Sequence, residues 1–193
     1  MTLVHTITEV PDSVFFPALD EIQQINWDNI VDPTRNSAVF NTSKSIHIRR
    51  HKIPNGPLPR SLEEWCNITE CENDPHATNT YINVCLAADW IYKQVAGKAL
   101  GRIMIVRLES KGSVGLHIDP HEYFKMYSRF HIPFKTNDMV LFSGNDISIT
   151  EHMPVKTLNR LNNRSPHQLI NNGNDYRIHL IVDVAINGGN QIF

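Results

Sequence analysis

Beginning at Gly101, apolar residues recur at every second position in a series of short runs. These cover Ile103 and Ile105, Gly115–Pro120, Met126–Phe134, Met139–Phe142 and Val155–Leu158. Side chains of an extended strand alternate between two faces, so a period of two marks half-buried strands. Many short strands separated by turn residues predict a β sandwich or jelly roll, because such strands can bury one face only against a second sheet. With 193 residues the chain fits one domain with a sizeable core, and no internal repeat or linker divides it. The expected layout is N-terminal helices and supporting strands over 1–100, the β core over 101–184 and a mobile or lid-like tail over 185–193.

The first hundred residues are less regular. A short strand is expected around Leu3–Ile7, followed by a turn at Pro11-Asp12. Pro17 would open a helix carrying Leu19, Ile22, Ile25 and Asn26, and Asp32-Pro33 would end it. Ala38–Asn41 and Ser45–Arg49 read as a hairpin. Tyr81–Leu100 is the clearest helix, with Ile82, Cys85, Leu86, Ile91 and Val95 as its apolar stripe and Gly97 near its end, packed outside the sheet. The basic cluster His47–Lys52 reads as a charged edge strand kept from aggregating. Its functional alternative is a carboxylate-binding rim for the substrate, with Arg49 as the candidate.

Within the β region, three polar positions combine. If Gly115–Pro120 is extended, His117 and Asp119 face one way and Leu116 and Ile118 the other. A third ligand from a distant strand would complete a two-histidine, one-carboxylate set, which suits non-haem Fe(II) because it leaves coordination positions open. His167 is the candidate. Ten residues beyond it, Arg177 begins the run Arg177–Asp183, with Ile178, Leu180 and Val182 on the opposite face. A guanidinium set into such a strand is costly unless it meets an anion, and its planar fork grips a carboxylate bidentately. His131 shares a strand face with Arg129, and His179 with Arg177, an arrangement that equally suits hydrogen-bonded core pairs.

These segments resemble a known family. The His117-Ile118-Asp119 motif, the distant His167 and Arg177 are similar to the Fe(II)/2-oxoglutarate-dependent oxygenases of the double-stranded β-helix (cupin-like jelly-roll) fold. Arg129–Asn137, Leu158-Asn159, His167–Asn171 and Arg177–Asp183 resemble, more narrowly, the aspartyl/asparaginyl β-hydroxylase-like group, which takes in hydroxylases of free proline. The likeness covers roughly the C-terminal half. It implies a dioxygenase in which His117, Asp119 and His167 are the catalytic iron ligands. Arg177 would hold the distal carboxylate of 2-oxoglutarate, with Arg129, His131 and His179 on the cofactor side. O2 would be consumed, 2-oxoglutarate converted to succinate and CO2, and an amino-acid side chain hydroxylated, as a peptide or as a small molecule such as free proline.

Composition narrows the alternatives. The formal charge of −2 offers no electrostatic case for nucleic acid. No apolar run approaches membrane-spanning length, and the first residues carry no signal-like pattern. Cys66, Cys71 and Cys85 form an odd set that suits a reducing compartment, so a cytoplasmic location is expected. Two other readings use the same residues: a zinc-dependent hydrolase on the His/Asp/His set, which Arg177 disfavours, and a non-catalytic jelly-roll binding module. Substrate identity and oligomeric state have no signal in the sequence.

Overall fold

One strand, β11 (Arg177–Ala185), is buried along nearly its whole length, and the rest of the architecture follows from covering both of its faces. The fold is described from a computed structural model, which describes residues 2–31, 39–40, 42–52, 61, 64, 67–119 and 122–187. β11 runs antiparallel between β4 (Ala99–Leu108) and β6 (Ser128–Lys135). Outward from this trio lie β9 (Thr157–Leu161) and β1 (Val4–Glu9) on one side. On the other lie β2 (Ser43–His51) and β3 (Cys71–Asn73), completing a seven-stranded sheet. A four-stranded sheet in the order β5 (Ser113–His117), β10 (His167–Asn171), β7 (Val140–Ser143) and β8 (Thr150–Glu151) forms the second layer. The chain is thus mainly β with flanking helices, a double-stranded β-helix.

The two faces of the large sheet bury different things. Ile178, Leu180, Val182 and Val184 join Ile103, Ile105, Phe130 and Ile132 in the main apolar cluster, beneath the helices. Arg177, His179, Ile181 and Asp183 point the other way, toward the small sheet. Among the described residues the helical layer contains α1 (Asp12–Gln23), α2 (Pro75–Thr80) and α3 (Ile82–Gln94), with a 3-10 turn at Trp27–Asn29. α1 buries Phe15, Ala18 and Ile22, and α3 buries Val84, Ala87, Ala88 and Ile91. The start of α3 has no capping side chain of its own. Glu21 of α1 supplies one, its carboxylate accepting from the amides of Asn83 and Val84 at 2.9–3.0 Å. An anion at a helix N-terminus satisfies free N–H groups and complements the dipole, so the two helices are locked to each other.

Several expected elements shift. Pro17 lies inside α1 rather than opening it; the helix begins at Asp12, where a turn was expected, and loses one backbone hydrogen bond at the proline. The second long helix ends at Gln94, because Ala99 already belongs to β4, and its buried face keeps Ile91 of the expected stripe, with Cys85 and Val95 partly buried, but not Ile82 or Leu86. Ile82 and Leu86 are 58% and 60% exposed, while Ala87 and Ala88 are fully buried. Small residues let α3 approach the sheet closely, and periodicity in size misled where periodicity in burial is offset by one position. Among the described residues the expected hairpin does not appear, since Val39 and Phe40 form a turn and β2 pairs with β3 and β4; Ala38 and Asn41 lie outside the described residues. Residues 122–126 form a short helix, α4 (Glu122–Met126), where a strand was expected to begin. Asp32-Pro33, Cys66, His121 and most of the expected tail, 188–193, lie outside the described residues.

Candidate metal centre

β5 ends at His117, so Asp119 lies two residues past the strand rather than on it. It is held there by its own amide, which donates to the Asn163 carbonyl at 3.1 Å. His117 and His167 are direct partners in the β5–β10 ladder. That register brings in the third group without any help from sequence proximity. Ligating atoms of His117, Asp119 and His167 all lie within 4.8 Å of one another. Leu116 and Ile118 point away and are about half exposed, as strand alternation requires.

The two imidazoles are oriented alike. Nδ1 of His117 lies 2.7 Å from the Gly115 carbonyl, and Nδ1 of His167 lies 2.9 Å from the Ser165 carbonyl. A carbonyl only accepts, so each Nδ1 carries the hydrogen and each Nε2 keeps its lone pair. His117 Nε2 stands 3.8 Å from Asp119 Oδ1. Burial, followed by the opposing pull of Asp119, leaves the His167 pKa below its ordinary value, which favours the neutral form a metal needs. Two imidazole nitrogens from paired strands and one carboxylate oxygen from just past β5 fit a divalent transition metal with open positions.

The second oxygen of Asp119 is also engaged. Arg129 Nη1 donates to Asp119 Oδ2 at 2.8 Å, and Asn163 Nδ2 lies 3.4 Å from the same oxygen. Arg129 in turn grips Asp183 through Nε at 2.9 Å and Nη2 at 3.2 Å. Asp183, with no exposed surface, also accepts from Arg102 Nε at 3.1 Å and from the Tyr123 hydroxyl at 3.2 Å. Burial raises the Asp183 pKa, but Arg129 and Arg102 outweigh it and hold the carboxyl below its usual range. Neither Arg102 nor Tyr123 carried a sequence signal, and Asp183 drew attention only as a distant neighbour of Arg177. The alternation that places Asp183 on the inward face was the available clue, because a buried carboxylate demands a cation.

A cavity between the sheets is lined by His117, Arg129, His131, His167 and Arg177 among apolar side chains. Arg177 is 3% exposed, its Cζ 5.9 Å from the Phe142 ring centroid. His131 and His179 meet through Nδ1 atoms 3.3 Å apart, and their Nε2 atoms are buried without hydrogen-bond partners. Burial, then the neighbouring Arg177 charge, pushes both pKa values well below normal, so the pair is neutral. Of the two, only His131 reaches the cavity wall; His179 stands behind it with no exposed surface. The basic cluster is not on an edge strand as expected, since β2 lies between β4 and β3, and Arg49 donates to the Leu100 carbonyl and the Asn73 side chain of those neighbours.

No protein-family profile matches this sequence, and no curated protein matches it. Solved structures do. The chain is similar to an oxidoreductase of the 2OG-Fe(II) oxygenase family from Burkholderia pseudomallei, at 14% identity and a TM-score of 0.57, covering 95% of this chain and 85% of that one. It is similar to a prolyl hydroxylase from Trichoplax adhaerens, solved in complex with a hypoxia inducible factor peptide fragment. There the identity is 11% and the TM-score 0.59, over 94% of this chain and 83% of that one. A prolyl-4-hydroxylase from Pseudomonas putida aligns at 10% identity and a TM-score of 0.52, over 96% and 93%. At such identities the likeness is one of fold. Among the described residues no helix is long and apolar enough to cross a membrane.

Proposed function

We propose that this chain is an Fe(II)- and 2-oxoglutarate-dependent dioxygenase that hydroxylates an amino-acid side chain, within or close to the aspartyl/asparaginyl β-hydroxylase-like group. The observation that carries this reading is the pairing of two features in one cavity: a His117/Asp119/His167 set and the buried guanidinium of Arg177. A hydrolytic zinc site would use the first feature, but has no need of the second.

In this reading His117 and His167 hold the iron through Nε2 and Asp119 holds it through Oδ1, the oxygen that faces His117. Arg177 binds the distal carboxylate of 2-oxoglutarate with a fork suited to it, in a desolvated setting that strengthens the contact. His131, neutral and at the cavity wall, offers a hydrogen bond toward a bound carboxylate. Iron and 2-oxoglutarate supply the oxidising chemistry, in which O2 is consumed, 2-oxoglutarate becomes succinate and CO2, and one oxygen atom enters the substrate. The apolar lining, including Met104, Val106 and Ile181, keeps water from the reacting centre.

The substrate class is drawn from the fold neighbours that act on proline and from the resemblance of the Arg129–Asn137 and Arg177–Asp183 segments. The test is to supply the purified protein with iron and 2-oxoglutarate and screen free amino acids and short peptides for a mass gain of one oxygen, with succinate measured in parallel. Iron-dependent succinate formation together with such a product is expected. A protein that binds zinc, hydrolyses a substrate and leaves 2-oxoglutarate untouched would overturn the reading.

A further inference from the structure

A chain of alternating charges runs from the candidate metal site into the protein: Asp119, Arg129, Asp183 and Arg102, with contacts of 2.8, 2.9 and 3.1 Å. Its inner members are almost closed to solvent, Asp183 completely and the Arg129 side chain at 11%. Buried ions at this depth are costly unless their geometry is satisfied. Here it is, since three N–H groups of Arg129 are committed to the two carboxylates, one to Asp119 and two to Asp183.

We infer that Arg129 is a positioning residue for the metal site, holding Asp119 by its second oxygen and held itself by Asp183. The inference rests on the reading of His117, Asp119 and His167 as metal ligands. It adds to the cofactor-side role that resemblance implied for Arg129, whose side chain also lines the cavity. The argument is geometric. Asp119 stands beyond the end of β5, outside the ladder that fixes His117 and His167, so nothing in the strand pairing sets the rotation of its carboxylate. Arg129, the nearer of the two groups on Oδ2 with Asn163 Nδ2 the other, sets it, drawing Oδ2 away and leaving Oδ1 toward His117.

Two further observations support a framework built for this purpose. The Tyr123 hydroxyl donates to Asp183 and accepts from the Arg102 amide at 2.7 Å, tying α4 to the same network. A Cβ at Gly101 would lie 2.2 Å from that hydroxyl, so the absence of a side chain at Gly101 admits the tyrosine. The Phe124 ring lies under both guanidinium groups, 4.8 Å from Arg129 and 5.1 Å from Arg102, and closes them off from water. The charge of Arg129 near a cation would by itself weaken binding; Asp183 offsets that charge and leaves the orienting effect.

The test uses the full chain stripped of metal. Wild type, Arg129→Gln and Arg129→Lys are titrated with Mn(II), the free ion being followed by electron paramagnetic resonance. The 2-oxoglutarate concentration dependence of succinate formation is then measured at saturating iron. Arg129→Gln should weaken Mn(II) binding about 10- to 100-fold, the range typical of groups behind a ligand, with Arg129→Lys in between. Unchanged or tighter Mn(II) binding in Arg129→Gln overturns the inference, as does a shifted 2-oxoglutarate dependence with normal metal affinity. If Arg129→Gln does not fold, Asp183→Asn decides: it leaves Arg129 in place but loosens it, and wild-type Mn(II) affinity in that variant overturns the proposal. Failure of the wild type to bind Mn(II) would instead sink the metal-site reading itself, which the titration reports before any turnover is measured.

Discussion

His117 and His167 face each other across the β5–β10 ladder with ring centroids 4.3 Å apart, each tied through Nδ1 to the carbonyl two residues before it. The backbone thus fixes both tautomers and aims both Nε2 lone pairs at one point before any metal arrives. His117→Ala or His167→Ala should abolish binding of a divalent metal, a larger loss than the ~10–100-fold expected for a group behind a ligand. Metal analysis of the purified variants, with circular dichroism to verify the β fold, checks this. Either variant retaining one metal per chain at wild-type affinity would refute the assignment.

Arg177 should govern 2-oxoglutarate and not iron. Arg177→Lys keeps the charge and loses the planar fork, and Arg177→Ala loses both. Charge-assisted hydrogen bonds contribute about 1.5–3 kcal/mol, so the half-saturating 2-oxoglutarate concentration should rise roughly 10- to 100-fold in Arg177→Ala and less in Arg177→Lys. Mn(II) affinity should stay at the wild-type level in both. An unaltered 2-oxoglutarate dependence would make the arginine structural.

The buried face of α3 can be tested by two truncations that the helical periodicity ranks alike. Ile91 has no exposed surface, whereas Leu86 is 60% exposed. Ile91→Ala should destabilise the fold by about 2–5 kcal/mol through lost burial and a residual cavity. Leu86→Ala should cost no more than about 0.5 kcal/mol. Urea denaturation of both variants measures the contrast, and equal losses would contradict the packing.

Stability should fall on mild acidification. His131 and His179 have folded-state pKa values well below 6.5, burial being the main cause, and His51 is lowered to about 4 by burial and then Arg102. Below pH 6.5 the unfolded chain takes up protons that the folded chain refuses, so stability is complete above that value and declines beneath it. Each fully buried histidine contributes a slope of about 1.4 kcal/mol per pH unit in that window. Asp183, lowered by its arginines, extends the loss to more acidic pH. Urea midpoints should therefore stay nearly level from pH 7.5 to about 6.5 and decrease from there to pH 5; a flat profile below pH 6.5 would show that these histidines are not buried neutral.

The sequence by itself determined the β architecture and brought His117, Asp119 and His167 forward as one set. A period of two from Gly101 is a local property of strands that bury one face. The alternation of Arg177, His179, Ile181 and Asp183 against Ile178, Leu180 and Val182 assigns each side chain to a layer without knowledge of the partner strands. Helix boundaries and the buried face of α3 were not legible, because Ala87 and Ala88 mark their burial only through the sheet they approach. Tertiary structure alone decided who meets whom. Asp183 lies far along β11 from Arg177, yet the β6–β11 register sets it opposite Arg129, and Arg129 reaches Asp119 from there. His117 and His167, fifty positions apart in the chain, are joined by the β5–β10 register. Alternation is written into each strand by its own residues, whereas register is a relation between strands, set by how two sheets close over a shared core.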